Sequence, residues 1–167
     1  MEKLKVQALS REAVLTAALV GVAMIAPLAQ SQLVTGTIVN AALFGAVAAV
    51  GFRAAAAVAV VPSLIALAAG TLPMAMAAMI PFIMASNIVL AGAFALLRKT
   101  NFAMAAVAAS AAKFGFLVLS ANIILATMTH GKMTLALASM MGWPQLITAL
   151  SGAGLAYSVN LKLKNQN

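Results

Sequence analysis

The chain has 167 residues, of which 65% are hydrophobic and only 7% charged, with a formal net charge of +8. A soluble domain carries roughly 25% charged residues, so a water-soluble fold is excluded and lipid is the expected solvent. With no Cys, one His and two acids (Glu2 and Glu12), the chain itself offers no disulfide, iron–sulfur cluster, tight metal site or paired carboxylates.

A span needs about 20 mostly apolar residues, and six such runs follow one another: about 13–28, 33–52, 54–69, 73–97, 102–128 and 143–161. The expected fold is therefore all-α, a single integral membrane domain over 1–167 with six transmembrane helices. The first run, preceded by Lys3, Lys5 and Arg11 and followed by "APLAQ", also has the pattern of a signal peptide, but we expect a retained helix. Its Ala13, Ala17 and Gly21 recur every four residues, which flattens one face for close helix contact.

The second run opens with "QLVTGTIVNA". Gln32 and Thr35 lie three apart and share a helix face, while Asn40 lies deeper. The third run is interrupted by Pro62 and the fourth contains Pro81, followed by Ser86-Asn87 within "MIPFIMASN". Asparagine inside a bundle more often joins helices than binds a ligand, and we read Asn40 and Asn87 in that way.

The fifth run carries Lys113, eleven residues past Phe102 and hence about 16 Å along a helix. That depth is near the bilayer centre, where a lysine costs about 2.5–3.5 kcal/mol on insertion scales and usually faces the bundle interior. The span holds no acid, so the side chain is either a neutral amine or an ammonium waiting for an anion. Ser110 and Ser120 share its face and extend a polar track outward. Asn122 is a weaker ligand candidate. A Ser110–Lys113 nucleophile pair is conceivable, but no base other than the lysine supports it and no enzyme is expected.

Residues 129–142 form an outer loop or an extension of the last helix, with His130 read as solvated. The last run opens with "GWPQLITALSGAG", repeating the Gln-Leu-(Val/Ile)-Thr head as Gln145 and Thr148 behind Trp143. With both termini cytoplasmic, eight basic residues fall inside (Lys3, Lys5, Arg11, Arg53, Arg98, Lys99, Lys162 and Lys164) and only Lys132 outside, a positive-inside pattern. The charges punctuate apolar runs and form no patch for nucleic acid. Both repeated heads then lie at the outer face, where Gln32, Thr35, Gln145 and Thr148 can converge on a ligand.

Six short spans, polar outer heads and the three quoted strings resemble the substrate-binding S components of energy-coupling-factor vitamin transporters, in a small subgroup sometimes labelled "iron hydrogenase". The likeness runs over the whole chain. It implies a binding subunit for a micronutrient in a prokaryotic plasma membrane, docked on a transmembrane coupling subunit driven by two ATPases, with no cofactor of its own. It also implies that Ala13, Ala17 and Gly21 form the partner interface. The ligand site would use Gln32, Thr35, Trp143, Gln145 and Thr148, joined by Lys113, Ser120 and Asn122, and would favour an anionic or carboxylate-bearing ligand. The alternative is a structural or ion-path subunit of a larger membrane redox complex.

Overall fold

A computed structural model describes residues 2–68, 79–99, 101–127 and 140–164. Among these residues there are six α-helices and no strand: α1 (Glu2–Ile25), α2 (Gln32–Ala49), α3 (Phe52–Ala68), α4 (Ile80–Leu97), α5 (Phe102–Thr127) and α6 (Trp143–Lys164), with a short 3-10 turn at Ala26–Ala29. Four stretches, Leu9–Ala29, Gln32–Ala49, Ile80–Leu97 and Phe102–Ile124, are long and apolar enough to cross a membrane; Phe52–Ile65 is a shorter apolar helix.

Helix bounds differ from the apolar runs where polar residues are good helix formers. α1 takes in the charged stretch from Glu2 to Glu12, and α6 continues through Lys162 to Lys164. Phe52, expected to end the second run, instead opens α3 with Arg53 behind it, because Gly51 breaks the chain between α2 and α3. Its φ of 133° is a conformation that L side chains rarely adopt, and its N–H closes onto Ala46 O at 2.8 Å. α3 runs through Pro62, whereas Pro81 and Pro144 fall in the first turns of α4 and α6, where no N–H is needed. The expected residues 73–78 and most of the expected loop 129–142, with His130 and Lys132, lie outside the described residues.

Two polar side chains finish helix ends. Asn101 Oδ1 accepts from the N–H groups of Ala103 (2.8 Å) and Met104 (3.2 Å), capping α5. Arg98, just past α4, donates Nη1 to Val47 O and Ala48 O, two otherwise open carbonyls at the end of α2.

α2, α4 and α6 run parallel: Gly36 meets Thr148 and Gly152 meets Asn40 and Ala41, while Phe44 stacks edge-on against Phe94 with centroids 4.9 Å apart. We call the end where these helices begin the head end. More than half of the buried apolar residues are alanine, and such small side chains let helix backbones approach closely. Large apolar side chains instead point outward, Leu28 and Leu96 being 80% and 82% exposed. That inversion suits a lipid solvent.

The α2–α6 contact is the tightest. A Cβ on Gly152 would lie 2.7 Å from both Ala41 N and Asn40 Cβ and 2.8 Å from Thr37 O. Gly152→Ala should therefore force the helices apart and cost about 1–3 kcal/mol, read as a shifted midpoint in detergent unfolding. Gly154→Ala, with open space around it, should be neutral or stabilising by up to about 1 kcal/mol through helix propensity.

Candidate functional site

Halfway along three helices, apolar packing gives way to a polar layer. Asn40 is the ninth residue of α2, Asn87 the eighth of α4 and Lys113 the twelfth of α5. The Lys113 side chain is 3% exposed, and its Nζ donates to Asn40 Oδ1 and Asn87 Oδ1, each at 2.7 Å. Asn40 Nδ2 in turn donates to Thr148 Oγ1 at 3.3 Å, and Thr148 donates to Gln145 O at 3.1 Å. One lysine thus joins α2, α4 and α5 directly and α6 through Asn40.

The carbonyl oxygens of two primary amides present partial negative charge to the amine, but neither neutralises an ammonium. The chain has only Glu2 and Glu12 to offer; Glu12 is exposed on α1. Among the described residues no cluster of metal-ligating side chains occurs.

Apolar side chains close the layer on both sides. Toward the tail end lie Leu43, Phe44, Leu90, Ala91, Phe94, Ala105 and Ala106, all buried, with Phe94 also packed edge-on to Phe102 at 4.9 Å. Toward the head end lie Met79, Leu117, Ala121 and Met141, flanked by the half-buried Phe82 and Met140.

Above this second cluster the two repeated heads meet. Gln32 Nε2 and Gln145 Nε2 both donate to Met140 O, at 2.7 and 3.2 Å. The parallel register of α2 and α6 brings the two glutamines to a single carbonyl. Their threonines diverge in role: Thr148 joins the lysine layer, while Thr35 Oγ1 donates to Ala26 O at 3.0 Å and fastens the 3-10 turn to α2.

The remaining expected residues lie apart. Ser120 is buried, but its hydroxyl goes to Phe116 O at 2.8 Å on its own helix. Asn122 is exposed and bonds Val118 O at 2.9 Å. Trp143 is 68% exposed, with its ring 5.3 Å from that of Phe114. Neither Asn122 nor Trp143 approaches Nζ. Ala13 and Ala17 are exposed on α1 and Gly21 is half-buried, with nothing within 4 Å of where its Cβ would be.

Sequence reasoning took Asn40 and Asn87 as interhelical joints, which they are, and missed that both joints pass through Lys113. Their depth was the available signal: eight residues after Gln32 and seven after Ile80, each at mid-helix like the lysine. Compared with family models, with characterised proteins and with solved structures, the chain matches none.

Hydrogen bonds to a charged group contribute about 1.5–3 kcal/mol, so Asn40→Ala and Asn87→Ala should each destabilise the bundle by about that amount in detergent unfolding. Combined with Lys113→Met, either change should cost clearly less than the sum of the single effects, the sign of shared partners. Strict additivity would show that the network is not coupled.

Proposed function

We propose that this chain is the substrate-binding membrane subunit of an ATP-driven micronutrient transporter of prokaryotic plasma membranes. It crosses the bilayer six times with both termini cytoplasmic, and binds an anionic or carboxylate-bearing molecule from the head end, which faces outside. In this reading α3 and α6 complete the six crossings beside the four stretches that are long and apolar enough to cross. The observation that carries this reading is the buried Lys113 amine, held at mid-depth by two neutral oxygens, in a chain whose two acids, Glu2 and Glu12, both lie in the first half of α1. An intramembrane lysine is expensive and marks ligand pathways more often than architecture.

Two further features support it. The Gln32–Met140–Gln145 arrangement places polar groups at the head end, above the lysine. The exposed small-residue face of α1, at Ala13 and Ala17, offers a flat surface for a transmembrane coupling subunit that brings two ATPases. Energy has to come from such partners, since this chain carries no nucleotide-binding fingerprint. An ion-path role, with Lys113 paired to an acid of a neighbouring subunit, is disfavoured by the burial of its side chain.

The protein should be purified in mild detergent and its retained small molecules analysed by mass spectrometry. An acidic compound should accompany the wild type, and Lys113→Ala should retain at least about tenfold less, the equivalent of one charge-assisted hydrogen bond. Equal retention by the variant, or a neutral ligand, would overturn the anion reading.

A further inference from the structure

The buried hydroxyls of this bundle follow one habit, and one of them breaks it. Ser86 donates to Ile83 O (2.8 Å), Ser120 to Phe116 O (2.8 Å) and Thr148 to Gln145 O (3.1 Å). Even the exposed Ser10, Thr16 and Ser158 take the carbonyl four residues back, the partner always within reach of a helical serine or threonine. Ser110 is fully buried at 0% exposure, yet among the described residues its Oγ has no hydrogen-bond partner. It lies three residues before Lys113, so the two side chains are neighbours on one face of α5.

An ammonium has three N–H donors, and among the described residues two acceptors meet Nζ, Asn40 Oδ1 and Asn87 Oδ1. Were the amine neutral, with those two N–H groups engaged, its lone pair would be the natural acceptor for the Ser110 hydroxyl. The hydroxyl makes no such bond. One donor on oxygen and one on nitrogen are therefore left beside each other in a buried layer. A species that accepts from both completes each group. Charge selects among acceptors: water would leave the ammonium uncompensated in a low-dielectric interior, where a lone charge is costly, whereas a single negative charge balances it. Both donors are enclosed by the bundle, Ser110 at 0% and Lys113 at 3% exposure, so the acceptor has to be one that the layer itself surrounds.

We infer that Ser110 Oγ and Lys113 Nζ together hold one small monovalent anion, a carboxylate group or a halide, in the polar layer between α2, α4 and α5. This rests on the reading of Lys113 as an anion contact and adds Ser110 as its second donor. It also sets the charge of what is bound.

The test is equilibrium dialysis of the full-length protein in detergent and gluconate buffer, against radiolabelled acetate and, separately, radiolabelled chloride. Saturable binding of either anion near one per chain is expected. Acetate alone identifies an organic carboxylate as the source, and chloride alone a free halide. Ser110→Ala should weaken binding about tenfold or more, and Lys113→Met should abolish it, while Lys162→Met on the exposed end of α6 should leave it unchanged. Ser110→Ala only deletes an unpartnered hydroxyl, so it keeps the fold even where Lys113→Met does not. No saturable binding of either anion, or wild-type affinity in Ser110→Ala, would overturn the proposal. Because dialysis needs no coupling subunit or ATPase, a chain that binds anion but supports no uptake would sink the transporter reading alone.

Discussion

A single amine without a counter-charge organises this bundle. Among the described residues no acid pairs with Lys113, so its interaction with Asn40 and Asn87 fixes where three helices stand relative to one another. Neutral amide oxygens solvate a buried amine less completely than water does, and two of them, from two different helices, share the task here. Thr148 joins through Asn40, which brings in the fourth helix. Apolar packing on either side then keeps water from competing for the same donors.

The glycines of α2 and α6 serve that layer. Gly152 lets α6 lie against the backbone of α2 at Thr37 and Ala41, and Gly36 makes room for Thr148. With those contacts in place Asn40 and Thr148 meet across the interface, and nearer the head end Gln32 and Gln145 reach the same carbonyl. Of the repeated Gln-Leu-(Val/Ile)-Thr string, only the glutamines act alike in the two parallel neighbours; the threonines take different partners. Aromatic packing of Phe44, Phe94, Phe102 and Tyr157 closes the tail end of the same helices.

Much of this was legible in the sequence. Long apolar runs separated by basic residues announce helices long and apolar enough to cross a membrane, and Lys113 stands out because no other charged residue lies so near the middle of such a run. Partnerships were not legible. The eleven methionines and the many alanines carry little directional information, so helix neighbours cannot be chosen from periodicity, and without neighbours Asn40 and Asn87 look like generic joints. Asn122 and Trp143 showed the converse problem. Their residue types suit a binding site, but the rotation of α5 and α6 that buries Ala121, Thr148 and Ala149 turns both of them outward. Ser110 was recognised as sharing the lysine's face, yet only packing could show that its hydroxyl had declined the carbonyl behind it.

The cluster of Met79, Leu117 and Met141 above the polar layer has a kinetic corollary. Unbranched thioether side chains such as Met79 and Met141 repack readily, so the anion proposed above, if it entered from the head end, would meet a barrier made of rotamer changes rather than of backbone movement. Its association would then be gated by side-chain hopping and fall below the diffusion limit, and the same gate would slow its escape. Residence time, more than encounter frequency, becomes the quantity through which such a layer tunes affinity.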